Sequence, residues 1–450
     1  MNSQPQARSN IFLIPVGSYF GVQESGYRIV YSPLTGNMTI ADKNSIHNVE
    51  AFLAGNDNAV EDAAVLEMLS SMVSEKSLND YLSKVQNVKD IQKMSVLPSH
   101  SCNFSCSYCY SAKGRANIYL DEAKLKAGLD YFIDPARLTE RYLTISFIGG
   151  GEPLLSWGLV KYGMEYAQKL AQKYGFNLSM TLITNGSIMN DDIINHLKTF
   201  GVLPDISFDI LEDVQNLQRK NYDKVCDTIR KLCNNQLAPS VNATITPSTV
   251  HRMMEMVDEM DAKFPEVVNM VLEPVVAPEL FAEPTHLATF YDAYLHNFLK
   301  ARKHAESKGK NVTCRIYKNV DSIIDRGCPS KFALTPQGDI SICYCTSSPN
   351  ETHYEKRVYG NIGGDGSINI DEAKFDGIHG INVHYYAKCN DCFAKWHCGG
   401  GCMCPNDAYT EPFLEEICVF TRNLVKSVLL ERMEEQSMRY DGISLKEQLI

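Results

Sequence analysis

The sequence predicts an α/β protein in which a parallel sheet of six strands lies between a small α+β domain and a loop-rich, cysteine-dense region. The first observation behind this prediction is the alternation of strand-like and helix-like segments between about residues 92 and 276. The second is the distribution of the 15 cysteines, ten of which follow residue 310. A chain of 450 residues has room for two or three domains.

The first predicted domain is an α+β domain that covers residues 1–91. Three short apolar or β-branched stretches predict strands, and turn-forming residues separate them. These stretches are F-L-I-P-V, Y-R-I-V-Y and M-T-I-A. Helical patterns follow over about 43–54, 59–73 and 77–86. We therefore expect three strands and then three helices.

The second predicted domain, residues 92–310, holds the alternating segments. Its strand candidates are M-S-V-L-P, Y-L-T-I-S-F-I, M-T-L-I-T, D-I-S-F-D-I, V-N-A-T-I and V-N-M-V-L-E-P. Helical stretches are expected at 121–133, 157–174, 190–200, 214–234 and about 286–307. Repeated βα units build a parallel sheet, which is either a partial (β/α)6 barrel or a doubly wound sheet. Both folds gather their chemistry at the carboxyl ends of the strands.

The third predicted domain, residues 311–425, contains most of the cysteines and shows little periodic structure. A helical pattern returns only at 414–436, and residues 426–450 are expected to form a C-terminal helix and tail. A region that lacks an ordinary apolar core is expected to depend on bound metal for its stability.

Charge and composition exclude several classes of partner. The net charge is -11 and the pI is about 5.5, whereas nucleic-acid binders carry a basic face. No apolar run approaches the ~20 residues that span a bilayer, and the amino terminus lacks the apolar segment of a signal peptide. We expect a cytoplasmic protein that binds neither nucleic acid nor membrane. In a reducing cytoplasm, clustered cysteines indicate metal binding or catalysis.

Three cysteines follow the first strand of the βα series within eight residues, namely Cys102, Cys106 and Cys109. Thiolates are soft ligands that select zinc, copper(I) or iron–sulfur clusters. A structural zinc or an ordinary 4Fe–4S cluster takes four protein ligands, so three thiolates leave one corner of the metal group free for another molecule. The alternative is three unrelated buried cysteines.

This spacing on this loop resembles the signature of the radical S-adenosylmethionine (SAM) enzymes. The resemblance implies a TIM-like partial barrel in which the three thiolates hold a 4Fe–4S cluster and SAM chelates the open iron. It further implies that an electron from the cluster cleaves SAM to a 5′-deoxyadenosyl radical, which removes a hydrogen atom from the substrate. Tyr108 matches the aromatic residue that the family usually has before the third cysteine.

Further motifs of the family follow in order along the chain. Gly150, Gly151, Glu152 and Pro153 resemble the GGEP motif, whose backbone binds the SAM amino group, with Glu152 shaping the turn. The strand ends that follow resemble further SAM-site segments of the family, and their candidate residues are Thr184, Asn185, Ser207 and Asp209. Ile210 replaces the glycine that relatives often have after this aspartate, so we expect an altered loop. Arg219 lies where relatives bind the SAM carboxylate; the alternative is a solvated charge on a helix.

A second cysteine pattern resembles the SPASM domain of the same superfamily. Its elements are Cys328-x9-Gly338-x4-Cys343 and Cys389-x2-Cys392-x5-Cys398-x3-Cys402, followed by Cys418. A zinc ribbon is the alternative, although seven thiols exceed the needs of one zinc site. The resemblance therefore implies two auxiliary 4Fe–4S clusters and three clusters in all.

The same resemblance assigns ligands to the auxiliary clusters. Those of the outer cluster would be Cys389, Cys392, Cys398 and Cys418. The inner cluster would take Cys328, Cys343 and Cys402, and its fourth ligand stays open. Cys345 and Cys314 are candidates, Cys404 is a spare thiol, and an open iron that accepts a substrate thiolate is the functional alternative. We expect Cys226 and Cys233, seven residues apart on a helix, to serve packing.

Within the SPASM group the sequence is most like the maturases of ribosomally made peptides. Anaerobic sulfatase maturases carry a catalytic aspartate directly after the cysteine that corresponds to Cys343. Tyr344 takes that position here, and with a reference pKa of about 10 it is too basic to deprotonate a substrate easily. Tyr344 is the one catalytic candidate.

The resemblance implies a precursor peptide as partner, and an electron donor such as flavodoxin or ferredoxin. Many such maturases grip a leader peptide with an N-terminal winged-helix element of three strands and three helices, which residues 11–86 can form. A capping subdomain without a partner is the alternative. Sulfatase-type protein oxidation, small-molecule or cofactor-biosynthetic radical chemistry, and a non-enzymatic iron–sulfur scaffold are the other functions considered.

Overall fold

The computed structural model describes residues 8–17, 25–82 and 85–449, and its strands form two sheets. The smaller sheet is an antiparallel meander near the amino terminus. Its strands are β1 (Phe12–Gly17), β2 (Ser25–Tyr31) and β3 (Met38–Ala41), which confirms the three strands expected there. Two helices follow, α1 (Ile46–Leu53) and α2 (Ala63–Ser71).

The prediction of a third N-terminal helix over 77–86 is wrong in both the type of helix and its length. A single 3₁₀ turn spans Leu78–Tyr81 instead. The Asp80 carboxylate accepts hydrogen bonds from the amide of Ser77 at 2.9 Å and from its hydroxyl at 3.0 Å, which closes the turn on itself. Leu82 then returns to extended backbone. Residues 83–84 of the expected helix lie outside the described residues.

The larger sheet has eleven strands, and six of them are the strands predicted between residues 92 and 276. They lie side by side in chain order and are all parallel. A doubly wound sheet would reverse its strand order part-way. The sequential order is that of the partial (β/α)6 barrel. The strands are β4 (Lys93–Val96), β5 (Tyr142–Phe147), β6 (Asn177–Thr184), β7 (Leu203–Ser207), β8 (Ser240–Ile245) and β9 (Asn269–Pro274).

The helices that connect these strands agree with the predicted ones, with one correction. The single helix expected over 214–234 is two helices, because Lys220 and Asn221 take positive φ angles of 73° and 58° and interrupt it. The helices are α3 (Glu122–Phe132), α4 (Trp157–Tyr174), α5 (Asp191–Phe200), α6 (Glu212–Gln218), α7 (Tyr222–Asn234), α8 (Met253–Lys263) and α9 (Pro284–Ser307).

The cysteine-dense region contains more regular structure than expected. Its strands extend the larger sheet at both edges, since β10 pairs with β9 and β11 pairs with β4, both in parallel. The remaining three strands continue beyond β11 as antiparallel neighbours. Strands of three to five residues are too short to produce a periodic pattern, which is why sequence reasoning missed them. They are β10 (Asn311–Thr313), β11 (Phe332–Leu334), β12 (Asp339–Ser341), β13 (Val358–Ile362) and β14 (Ile368–Ile370).

Short helices fill the rest of this region, and a long helix follows it. Among the described residues, no helix combines the length and apolar character needed to cross a membrane. The helices are α10 (Arg315–Asn319), α11 (Tyr354–Arg357), α12 (Glu372–His379), α13 (Lys395–Cys398), α14 (Met403–Ala408), α15 (Glu411–Tyr440) and α16 (Leu445–Gln448).

The N-terminal sheet is packed between its own helices and the carboxyl-terminal part of the chain. One face packs on α1 and α2, and the other packs on α15. Tyr31 of β2 lies 2.6 Å from Nε2 of His397, and the indole N–H of Trp396 donates to Asn10 at 2.7 Å. His397, which lies within the second cysteine pattern, therefore has a structural role at this contact.

Candidate active site

The loop that carries Cys102, Cys106 and Cys109 is held by backbone hydrogen bonds from neighbouring strand ends. The amide of Gly151 donates to Ser99 at 3.0 Å, and the amide of Glu152 donates to Ser101 at 2.8 Å. A Cβ atom on Gly151 would lie 1.9 Å from the carbonyl oxygen of Ser101. Glycine at this position lets the two loops approach so closely.

The Glu152 carboxylate joins the ends of β5 and β6. It is fully buried and accepts three hydrogen bonds, from the Thr184 hydroxyl at 2.6 Å and from the amides of Asn185 at 2.8 Å and Leu154 at 3.1 Å. Burial raises its pKa, and these hydrogen bonds oppose that shift. Glu152 thus positions the two motif loops, as expected of the residue that shapes the turn.

Several N–H groups point at the sulfur atoms of the first cysteine group. The side-chain amide of Asn185 lies 3.8 Å from Sγ of Cys102, and the Phe104 amide lies 3.5 Å from it. The Arg115 guanidinium donates to Sγ of Cys109 at 3.3 Å. Such donors stabilise thiolates, which are the ligand form of cysteine. The donor set therefore fits a thiolate-held iron–sulfur cluster.

Tyr108, Asp209 and Arg219 form a buried polar group beside these cysteines. The Tyr108 hydroxyl donates to the Asp209 carboxylate at 2.6 Å and accepts from the Arg219 guanidinium at 3.0 Å. Burial raises the pKa of Asp209, and the positive charge of Arg219 opposes that shift. The Arg219 side chain is buried, so the alternative of a solvated helix charge is wrong. Its Nε has no hydrogen-bond partner among the residues that the structure describes.

The loop after Asp209 keeps a backbone conformation that favours glycine. Ile210 has a φ of 68°, in the left-handed region that β-branched residues rarely occupy, and its side chain is fully buried. Ile210 therefore adopts the backbone conformation that glycine would adopt at this position in relatives. Ser207, at the end of β7, pairs in register with Asn242 of β8 on the inner face of the sheet.

The four cysteines expected to form the outer group lie close together. Burial raises the pKa of Cys398 to about 12, and the charges of the other three thiols add to the shift. Burial likewise raises the pKa of Cys389 to about 11, with contributions from Cys392 and Cys418. Buried thiols that raise one another's pKa in this way are typical of a site that a metal group neutralises.

The inner group contains five thiols. The sulfur atoms of Cys343, Cys345 and Cys404 lie within 4.8 Å of one another. The thiol of Cys328 interacts with that of Cys343, and the thiol of Cys402 with that of Cys404. Cys404, the spare thiol of the sequence pattern, is thus a member of this group.

Cys404 is also linked to a buried ion pair. The guanidinium of Arg357 donates to the sulfur of Cys404 at 3.3 Å and forms an ion pair with Asp407. Cys314, by contrast, lies near Tyr294 and Glu273, and burial raises the pKa of its thiol to about 12. No contact of Cys314 with the inner group is found among the described residues.

Tyr344 lies between the inner group and the cysteine loop. Its ring meets that of Tyr110 edge-on at 6.5 Å between centroids, and the Tyr110 hydroxyl donates to Gly149 at 3.2 Å. The neighbouring Cys345 thiol and burial raise the pKa of Tyr344 well above its ordinary value. A raised pKa favours the protonated form of Tyr344, which does not accept a proton from a substrate. Tyr110 was missed by sequence reasoning, although it directly follows the third cysteine.

The sequence of residues 96–270 matches the profile of the radical SAM superfamily. The chain carries a radical SAM domain. This domain extends from β4 to β9 and includes the strand ends that hold the cysteine loop. A domain of this superfamily implies an enzyme with SAM and a 4Fe–4S cluster as its cofactors.

Two curated relatives are similar to part of this chain. The radical SAM cyclopropyl synthase TigE of Paramaledivibacter caminithermalis is 24% identical over 165 residues, which are 34% of this chain and 34% of TigE. The serine-type anaerobic sulfatase-maturating enzyme of Klebsiella aerogenes is 32% identical over 126 residues, which are 26% of this chain and 29% of that enzyme. The chain thus spans about a third of the length of each relative.

Two solved structures share the fold. Native anSMEcpe with bound AdoMet and the Cp18Cys peptide matches with a TM-score of 0.58 and 16% identity, over 75% of this chain and 99% of that one. Streptococcus suis SuiB bound to the precursor peptide SuiA matches with a TM-score of 0.52 and 14% identity, over 90% of this chain and 97% of that one. These matches confirm the α/β fold with its partial barrel.

Proposed function

We propose that the enzyme is a radical SAM peptide maturase, which removes a hydrogen atom from a residue of a precursor peptide and closes a thioether or carbon–carbon cross-link within it. The observation that carries this proposal is the arrangement of the two cysteine groups, with Tyr110 and Tyr344 between the cysteine loop and the five inner thiols. A relative named as a sulfatase-maturating enzyme and a similar solved structure bound to a precursor peptide support it.

In this proposal Cys102, Cys106 and Cys109 hold the SAM-binding cluster, and the backbone at Gly150 and Gly151 faces SAM. When bound, the cluster and SAM would supply a 5′-deoxyadenosyl radical that accepts one hydrogen atom of the substrate. Closing the cross-link would release one further proton and one electron, and the auxiliary iron–sulfur sites would accept that electron. The free Nε of Arg219 is offered to the SAM carboxylate, and Tyr108 and Asp209 hold the guanidinium in place. Thr184 and Asn185 keep the cysteine loop oriented through Glu152 and Asn103.

We further propose that Cys345 or Cys404 supplies the fourth ligand of the inner auxiliary site, beside Cys328, Cys343 and Cys402. Five thiols exceed the four ligands that a closed 4Fe–4S cluster takes. The inner group therefore has enough thiols to ligate all four irons, and no iron needs to stay open for a substrate thiolate. The outer site would be held by Cys389, Cys392, Cys398 and Cys418.

Replacing Cys345 and Cys404 together with serine should remove the inner auxiliary cluster or leave it with an open iron. Because Cys314 lies elsewhere, Cys314→Ser should leave about twelve irons per chain and unchanged electron paramagnetic resonance (EPR) spectra. Iron analysis and EPR of the reduced proteins check both variants. If Cys314→Ser lost iron and the Cys345/Cys404 double variant kept about twelve irons, Cys314 would be the inner-cluster ligand and the proposal would be wrong.

The N-terminal domain, residues 1–91, is proposed to bind a leader peptide by strand addition. Within the described residues β1 and β3 are the edges of its sheet, and an edge strand can pair with an extended peptide. The match to SuiB covers 90% of this chain, a larger share than residues 92–450 alone, and so includes part of this domain. A flavodoxin or ferredoxin is the proposed electron donor.

Sulfatase-type oxidation is the second candidate function, favoured by the relative from Klebsiella aerogenes. The position of its expected aspartate is held by Tyr344, whose raised pKa favours the protonated form. The first proposal therefore fits this chain better.

Anaerobic co-expression with the short reading frames that neighbour the gene tests the proposal. The expected result is 5′-deoxyadenosine together with a peptide that has lost two hydrogen atoms and whose fragmentation is blocked across the cross-link. The Tyr108→Phe variant tests the Arg219 anchor, since it keeps the aromatic ring but removes the hydroxyl that accepts from Arg219. Formation of 5′-deoxyadenosine with no cross-linked peptide from any reading frame would contradict the peptide proposal.

A further inference from the structure

Two lysines lie side by side at the inner face of the partial barrel. Phe332 of β11 pairs in parallel register with Met94 of β4, so the residues that precede them, Lys331 and Lys93, are also neighbours. Adjacent strands lie about 4.8 Å apart. Like charges that face each other across neighbouring strands destabilise a sheet. The pair therefore lowers the stability of the sheet, and the fold alone does not explain why both positions are lysine.

Neither ammonium group has a carboxylate within ion-pair distance in the described part of the chain. No ion pair or side-chain hydrogen bond of Lys93 or Lys331 is found among those residues. The Lys331 ammonium lies 4.4 Å from the centroid of the Tyr344 ring, a cation–π contact that does not neutralise its charge. Lys93 is exposed at the start of β4, and Lys331 is half-buried.

The two lysines border a cavity of about 110 Å³ inside the sheet. The hydroxyls of Ser95, Thr144 and Ser146 line it together with Tyr344, and Ile148 and Ile183 form an apolar wall. Ile148 directly precedes the glycine loop of the candidate active site. The cavity thus extends from the lysine pair toward the place where the proposed reaction occurs.

The acidic groups on the same inner face do not neutralise the pair. Asp205 lies on β7 and Glu273 lies on β9, and both strands are at least three positions away from β4 and β11 in the sheet. Asp205 accepts a hydrogen bond from Asn242, and Glu273 accepts one from the amide of Arg315. Lys318 lies near both carboxylates and Arg315 lies near that of Glu273, so these acids have positive charges of their own beside them.

We propose that Lys93 and Lys331 bind a carboxylate of the peptide substrate, so that the enzyme selects a peptide with an acidic residue near the modified position. This inference rests on the proposed function, because it assigns the lysines to the substrate of that reaction. A side-chain carboxylate and a free carboxyl terminus offer the same chemistry to the pair. The cavity is too small for a peptide segment but accepts one side chain or one chain end.

Binding of three short probes to the SAM-loaded holoenzyme tests the inference. The probes are N-acetyl-Ala-Glu-Ala-amide, N-acetyl-Ala-Gln-Ala-amide and N-acetyl-Ala-Ala with a free carboxyl terminus. We expect the glutamate probe to bind about tenfold more tightly than the glutamine probe, as charge-assisted hydrogen bonds predict. Tighter binding of the third probe alone would assign the pair to a carboxyl terminus. Equilibrium dialysis under anaerobic conditions measures the affinities.

Matched variants show whether the lysine pair causes the preference. Lys93→Met and Lys331→Met should each abolish it, and neither should lower the thermal unfolding midpoint, since each removes a like-charge repulsion. Lys126→Met, which removes an exposed lysine paired with Asp130, should retain the preference. No discrimination between the probes, or a preference that survives both variants, would overturn the inference.

Two further readouts distinguish a substrate-binding role of Lys331 from a role at the auxiliary cysteines. Lys331 lies near the thiol of Cys328 and lowers its pKa, so its charge has another candidate partner. If Lys331→Met shifts the auxiliary-cluster EPR signal and leaves the probe preference intact, the lysine serves the cysteines and the inference is wrong. Cross-linked product without charge discrimination would contradict only this inference, whereas discrimination without product would contradict only the proposed function.

Discussion

Replacing Glu152 with alanine should destabilise the radical SAM domain by about 3–5 kcal/mol. The change leaves the Thr184 hydroxyl and the amides of Asn185 and Leu154 buried without their common acceptor. It also releases the loop that holds the SAM-proximal cysteines. We expect the thermal unfolding midpoint of the anaerobically purified protein to fall by roughly 5–15 °C. 5′-Deoxyadenosine formation should fall with it.

Two variants provide the controls for this prediction. Glu152→Gln keeps the oxygen that accepts from Thr184 and Leu154 but presents an N–H₂ group to the Asn185 amide, so its effect should be about half as large. Glu67→Ala, on the exposed face of α2, should change stability by less than about 0.5 kcal/mol. An unchanged midpoint for Glu152→Ala with complete loss of SAM cleavage would show that Glu152 contacts the cofactor instead of positioning the loops.

The strand ends of the barrel were predictable because their motifs lie on one chain-ordered series of βα units. Parallel strands place their carboxyl ends at one edge, so Glu152, Thr184 and Asp209 were expected to lie close together. What each residue contacts was not predictable in the same way. The burial of Arg219 depends on Tyr108, which is 111 residues away in sequence.

Two local features escaped prediction because they depend on tertiary packing. Ile210 adopts a left-handed backbone that its residue type disfavours by about 1–2 kcal/mol, and its complete burial offsets that strain. The short strands from β11 to β14 contain too few residues for a periodic signal, and they form by pairing with β4 and with one another.

The cysteine groups show what the resemblance to the SPASM domain could predict. It assigned the four outer thiols to one group, and the fold brings them together around α13 and the start of α15. It left Cys404 as a spare, because membership of the inner group follows from its position in α14 beside Cys343 and Arg357. The lysine pair had no sequence signal, since Lys93 and Lys331 belong to different predicted domains.

Replacing Cys102, Cys106 and Cys109 together with alanine should abolish SAM cleavage and remove about four of about twelve irons per chain. The three thiols lie together on the loop beside the strand ends of the SAM site, so their loss should leave that cluster without its thiolate ligands. The outer and inner cysteine groups lie beyond Tyr344 and should keep their irons. Iron analysis, EPR and a 5′-deoxyadenosine assay under reducing anaerobic conditions measure these changes.

Cys226→Ala is the matched control for this triple variant, because Cys226 is buried in the apolar core on α7 and should leave both iron content and SAM cleavage unchanged. Replacing Cys389, Cys392 and Cys398 with alanine should remove about four other irons and leave the SAM-bound EPR signal intact. SAM cleavage that persists in the Cys102/Cys106/Cys109 variant would contradict the assignment of the first group. A wild-type protein with only about four irons would contradict both auxiliary sites but would not contradict the assignment of Cys102, Cys106 and Cys109.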